Sequence, residues 1–183
     1  MKRAFDTDAF TKQLHARDFS MPAFVDAAVR QGAETVAVGA RFFPERAMYW
    51  TRLSRQEAEK KGLTLSAIIV DSELVTSDTA TLEAAQADLS EWIRIAGLSE
   101  IPALRVRLNG VDDQAPRDVP SLAAALAPLM VIAQRYGITL HLTAGDSGLT
   151  DEALLALAKA LGYTSARVVT ARPLSDADAM WGA

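Results

Sequence analysis

Two arginines alternate along the run "ALRVRLNG", residues 103–110, with Arg105 and Arg107 on one face and Leu104, Val106 and Leu108 on the other. A second run, "ITLHLTAG", residues 138–145, sets Leu140 and Leu142 against Thr139, His141 and Thr143 in the same way. Guanidinium groups bind phosphate, carboxylate or an enediolate-like charge, and an imidazole moves a proton near neutral pH. An inward-facing arginine is costly unless paired, so each also reads as half of a salt bridge to an acid such as Asp71 or Asp146. Asp71 ends the apolar run "LSAIIVD", Asn109 and Gly110 end the arginine run, and Asp146 follows "ITLHLTAG". Arg41 ends "TVAVGA" beside Phe42 and Phe43, an aromatic pair read as packing. Asp71 and His141 are therefore the candidate catalytic, proton-transferring groups. Arg41, Arg105, Arg107, Asn109, Thr143 and Asp146 are the candidate ligand-binding groups. His15 is the other histidine, and two histidines without close acidic partners give no metal site.

Elements of one kind must position these residues. An amphipathic helical stretch, a glycine and an apolar strand recur in that order five times, with Gly32, Gly62, Gly97, Gly137 and Gly162 as the glycines. A glycine just past a helix end supplies the left-handed conformation from which the chain turns into a strand. Ser20 ahead of "MPAFVDAAVRQ" and Thr150 ahead of "DEALLALAKAL" read as N-caps, with Pro22 in the first turn of the former. Further helices are expected over about Arg46–Lys61, Thr79–Ile95 and Ser121–Tyr136, the last bent or started late by Pro128. "NGVDDQAPRDVP", residues 109–120, is expected to be the longest loop. Alternating strands and helices imply a parallel sheet with right-handed crossovers. A doubly wound sheet is apolar on both faces. The arginine and histidine runs are apolar on one only, which favours helices on one side and a polar interior on the other. "LSAIIVD" and "TVAVGA", apolar throughout, argue the other way.

The 183 residues suffice for a single domain, 1–183, with a sizeable core. A net charge of −4 leaves no electrostatic footprint for nucleic acid or an anionic membrane. With no cysteine there are no disulfides, thiolate metal sites or thiol nucleophiles. The opening "MKRAFDTDAF" lacks the apolar run of a signal peptide, and no long apolar stretch reads as a membrane span, so a soluble cytoplasmic protein is expected. No GxGxxG, P-loop, GxSxG or HExxH pattern occurs, which leaves nucleotide, serine-hydrolase and zincin chemistry without support.

"LAPLMVIAQRYGITLHLTAG", "MPAFVDAAVRQGAETVAVGARFFP" and "EAEKKGLTLSAIIVD" resemble, in matching order, pieces of the xylose isomerase-like TIM barrels. These are sugar isomerases, sugar epimerases and related endonucleases, and the likeness runs over residues 10–172. The resemblance implies a divalent metal held by a glutamate on the fifth strand, an acid ending the sixth, and a histidine and a glutamate from the seventh and eighth. This chain has Thr143 at the first place and Thr170 and Ala171 at the second, and it ends at Ala183 after about six strands. No metal and no other cofactor is therefore expected. The endonuclease branch is set aside, because it needs a His/Glu metal cluster and a basic DNA face.

The expected architecture is an α/β, parallel β/α repeat forming an incomplete TIM-barrel-like sheet. The expected function is a sugar isomerase/epimerase-like barrel acting on or binding a small polar, sugar-like and anionic ligand without a metal. The alternative is a non-catalytic relative serving as a ligand-binding or assembly subunit. Open sheet edges invite a homodimer or a partner chain. Met180 and Trp181 in the C-terminal "SDADAMWGA" are a candidate docking plug.

Overall fold

The computed structural model describes residues 4–7, 19–45, 48–110, 118–162 and 166–168. Along them run β1 (Ala4–Asp6), α1 (Met21–Arg30), β2 (Thr35–Gly39), α2 (Met48–Lys60), β3 (Thr64–Val75) and α3 (Thr79–Leu98). They are followed by β4 (Ala103–Gly110), α4 (Val119–Tyr136), β5 (Thr139–Ala144), α5 (Asp151–Ala160) and β6 (Ala166–Val168). The six strands form one sheet in the order β1-β2-β3-β4-β5-β6, and every neighbouring pair is parallel. Sequential order is that of a barrel wall, since a doubly wound sheet reverses direction at a switch point. Among the described residues β1 pairs only with β2 and β6 only with β5, so the sheet is open. The fold is an incomplete TIM-barrel-like α/β sheet, as the alternation along the strands indicates.

The strand residues divide between two environments. Val36, Val38, Ile68, Val70, Leu104, Val106, Leu140 and Leu142 belong to the main core, with Phe24 and Ala28 of α1, Ile93 of α3, Leu126 of α4 and Leu154 of α5. Each large aliphatic side chain buried there contributes on the order of 1.5–3 kcal/mol. Ala37, Ala67, Ile69 and Ala103 form a separate small cluster on the opposite, inner face. That resolves the conflict posed by the two all-apolar strands. β2 and the first half of β3 are apolar on both faces because their inner residues, Ala37, Ala67 and Ile69, are themselves buried, at 1–4% exposure.

Four of the five helix-ending glycines, Gly32, Gly62, Gly137 and Gly162, do take positive φ. Gly97 does not: α3 continues through it to Leu98, and Glu100 takes the left-handed conformation instead, at φ 58°. Gly97 serves packing. A Cβ there would lie 2.7 Å from Tyr136 Cβ and 3.1 Å from the Tyr136 carbonyl oxygen, so the missing side chain lets α3 and α4 approach. The turn after α3 is pinned by α2, where Arg52 donates to the Leu98 carbonyl at 2.8 Å and Arg55 pairs with Glu100. That hydrogen bond from Arg55 holds the Glu100 carboxyl below its usual range.

Thr150 caps α5 through the Ala153 N–H, at 3.2 Å, whereas Ser20 occupies the cap position of α1 with no side-chain bond. Pro128 sits inside a continuous α4 that begins at Val119. Asp118 caps this helix, so "NGVDDQAPRDVP" ends inside an element, and its residues 111–117 lie outside those described. By length and composition α4 could cross a membrane, which the sequence reading overlooked. Here one of its faces is packed in the core through Leu122, Leu126, Leu129 and Ala133.

Candidate functional site

Register places the chemistry. Asp71 on β3 lies beside Arg107 on β4, which lies beside Thr143 on β5, and one step earlier Arg105 lies beside His141. Paired residues in neighbouring strands project from the same face. Asp71, Arg105, Arg107, His141 and Thr143 therefore share the inner face, with Arg107 and Thr143 in the C-terminal halves of β4 and β5 and Arg105 and His141 deeper along them. Enzymes of this architecture work at the C-terminal strand ends.

The Arg107 guanidinium grips Asp71 through two contacts, Nε to Oδ1 at 2.7 Å and Nη2 donating to Oδ2 at 2.9 Å. The Nη2 contact is a hydrogen bond, whereas the Nε contact is an ion pair without hydrogen-bond alignment. Asp71 does not end β3, as the sequence suggested. The strand runs on to Val75, paired with Gly110 of β4 beyond an irregularity in register. The Asp71–Arg107 pair is exposed enough to meet a ligand, with 46% of the Asp71 side chain and 25% of the Arg107 side chain accessible.

Arg105 finds a partner the sequence reading missed. Its Nη1 donates to Asp6 Oδ2 at 2.7 Å, joining β4 to β1 across the inner face of β2 and β3. Three strand spacings amount to about 14 Å in a flat sheet, a span that curvature shortens. The alanines at 37, 67 and 103 leave room on that face for an extended arginine. The Arg105 Nε is buried and has no hydrogen-bond partner among the described residues. Next to β1, the buried Thr7 hydroxyl accepts the Gly39 N–H at 2.8 Å and ties the ends of β1 and β2 together. Asp6 and Thr7 escaped notice because a three-residue strand is too short to show alternation.

The remaining candidates separate. Asn109 belongs to the cluster, with Nδ2 3.5 Å from Asp71 Oδ1 and Oδ1 accepting the Asp146 N–H at 3.1 Å. Asp146 is thus held by its main chain, and the acids that pair with the arginines are Asp71 and Asp6. Thr143 is buried and donates to the Val106 carbonyl at 3.3 Å. Arg41 lies in a short 3-10 turn, Ala40–Phe42, after β2 has ended at Gly39. Its guanidinium stacks over Phe42, 4.8 Å from the ring centroid. Phe42 and Phe43 are buried, as packing requires. His15, Thr170, Ala171, Met180 and Trp181 lie outside the described residues.

The metal implied by the resemblance does not fit these donors. The fifth-strand position holds a hydroxyl already donating to the main chain, and Asp6 and Asp71 are engaged by guanidinium groups. Among the described residues no three of Asp, Glu and His converge. A divalent cation needs several converging carboxylate or imidazole ligands.

No protein-family model matches the sequence, and no curated protein matches it. Solved structures do match by shape, and they are xylose isomerase-like TIM-barrel proteins. A D-psicose 3-epimerase crystallised with D-fructose has a TM-score of 0.72 at 17% identity, covering 92% of this chain and 62% of its own. A xylose isomerase domain protein from Planctomyces limnophilus has 0.64 at 17% identity, covering 93% and 62%. An L-ribulose 3-epimerase has 0.73 at 16% identity, covering 91% and 59%. The chain has the fold of this class, and it spans about 62% of the length of the first two of these structures.

Proposed function

We propose that the inner face binds a small, polar, sugar-like ligand bearing an anionic or carbonyl oxygen, without a metal ion. The observation that carries the reading is the partly exposed Asp71–Arg107 pair, with Asn109 beside it, on the sheet face opposite the helix-packed core. Adjacent carboxylate and guanidinium groups offer an acceptor and a donor at the spacing of neighbouring hydroxyls. The fold shared with epimerases supports a sugar-like ligand by analogy.

If the protein turns its ligand over, the chemistry is proton transfer next to a carbonyl. Arg107 or Arg105 would stabilise the enediolate oxygen and His141 or Asp71 would carry the proton. Both Asp71 oxygens are committed to Arg107, which weakens Asp71 as the proton carrier. The same commitment favours the second reading, a binding or assembly subunit without turnover.

One experiment separates the readings. The protein is treated with a chelator, titrated calorimetrically with a panel of ketoses and their phosphate esters, then incubated with any binder in D2O. Saturable binding with solvent deuterium entering the carbon next to the carbonyl supports a metal-free isomerase-like enzyme. Binding without exchange supports the binding subunit. No binding across the panel overturns both.

A further inference from the structure

We propose that Asn109 is a positioning residue that couples the Asp71–Arg107 pair to the loop between β5 and α5. The proposal rests on the reading of the inner face as the ligand site, but its geometry stands alone. Asn109 is the next-to-last residue of β4, and its carboxamide is used at both ends. Oδ1 accepts the Asp146 N–H at 3.1 Å, and Nδ2 points to Asp71 Oδ1 at 3.5 Å. The Asp146 N–H requires the amide oxygen, so that contact sets which way the amide faces and turns Nδ2 toward Asp71, at the outer limit of hydrogen-bond distance.

The loop is built around this side chain. Gly145 donates its N–H to the Leu108 carbonyl at 3.0 Å, so the first two N–H groups after β5 both go to the end of β4. A Cβ on Gly145 would lie 1.8 Å from Asn109 Oδ1 and 3.0 Å from Asn109 Cγ. No rotamer adjustment of a few tenths of an ångström relieves an overlap of that size. A side chain at 145 would have to displace the Asn109 carboxamide and would also press on the Leu108 carbonyl oxygen, 3.0 Å away. Farther on, a Cβ at Gly110 would lie 3.4 Å from Ser147 Cα, so the loop rests on the strand end for several residues. It then reaches Thr150, the cap of α5. A ligand that shifts Asp71 acts on the loop through one amide.

The test is run first on the free protein. Asn109→Ala removes both contacts, and Asn109→Asp keeps an acceptor for the Asp146 N–H while losing the donor toward Asp71. Hydrogen exchange of the Asp146 amide is expected to rise roughly fivefold in Asn109→Ala, the effect of one lost hydrogen bond. It should stay near wild type in Asn109→Asp. That variant also sets a second carboxylate beside Asp71. Carboxyl ¹³C titration should then show one of the two releasing its proton at higher pH than Asp71 does in wild type.

Gly145→Ala approaches the same contact from the loop side and should raise Asp146 exchange with Asn109 unchanged, which keeps the test decisive if Asn109→Ala folds poorly. Asp146 exchange unaltered in both alanine variants overturns the proposal, as does an Asn109→Asp titration identical to wild type. A final arm adds D-fructose to the wild type and follows loop exchange. Lack of any D-fructose response bears on the ligand reading alone, while the coupling is judged on the free protein.

Discussion

Replacing Arg107 with methionine keeps most of the side-chain stem and removes the guanidinium, so the perturbation falls on Asp71. Breaking a fully buried ion pair costs about 3–5 kcal/mol, because the surviving charge is stranded. A solvated pair is worth about 0–1 kcal/mol. This pair lies between, with Asp71 46% and Arg107 25% exposed, so water can rescue much of the orphaned carboxylate. A loss of about 1–2 kcal/mol is expected. At a urea slope of about 2 kcal/mol/M the midpoint falls by roughly 0.5–1 M. Adding Asp71→Asn to Arg107→Met removes the stranded charge and should restore part of that loss. Equilibrium urea unfolding followed by circular dichroism reads the midpoints, and calorimetry with the best ketose ligand reads affinity on the same samples. Affinity lost with a modest midpoint shift marks a ligand-facing clamp. A midpoint and an affinity both equal to wild type would show that Arg107 points into solvent, and the polar inner face would fall with it.

The pair joining β1 to β4 is more enclosed, at 19% and 27% exposure, so Arg105→Met and Asp6→Asn should each cost about 2–3 kcal/mol, and the double variant less than their sum, in a urea double-mutant cycle. Gly97→Ala should lower stability by about 1–3 kcal/mol, read as a reduced melting temperature, because its Cβ would meet Tyr136. Thermal shift with Mn²⁺ or Mg²⁺ after dialysis should show no saturable stabilisation, and a stoichiometric metal by elemental analysis would contradict the donor argument. Light scattering at micromolar concentration should give at least twice the 19.7 kDa of one chain, since β1 and β6 leave open edges. A clean monomer would count against exposed edges in solution.

Alternation carried most of the architecture. Five glycine-centred units and two strands polar on one face were enough to indicate a parallel barrel-like sheet and to put Arg105, Arg107 and His141 together. What alternation cannot supply is the partner across the sheet. Arg107 pairs with an acid on the adjacent strand, which a register guess can reach. Arg105 pairs with Asp6, 99 residues away on a strand of three residues, where no periodic signal exists. Gly97 and Gly145 show the same limit from another side. Both look like turn residues in sequence, and at both a side chain would meet a distant element, Tyr136 of α4 or Asn109 and the Leu108 carbonyl of β4. The end of β3 was misplaced because Asp71 breaks the apolar run while the backbone continues to pair.

The sequential strand order has a consequence for how the chain assembles during synthesis. Among the described residues no strand is inserted between two earlier ones, so each β/α unit can dock on its predecessor as it leaves the ribosome. The Asp6–Arg105 link is the exception, because Asp6 must wait for a partner 99 residues downstream. At about 5–20 residues per second that wait lasts roughly 5–20 s. Through that interval β1 is held by β2 and by Phe5 against Phe24 of α1, while its inner carboxylate remains in water. The arginine of β4 then fastens the first strand to a sheet whose next three members are already laid down.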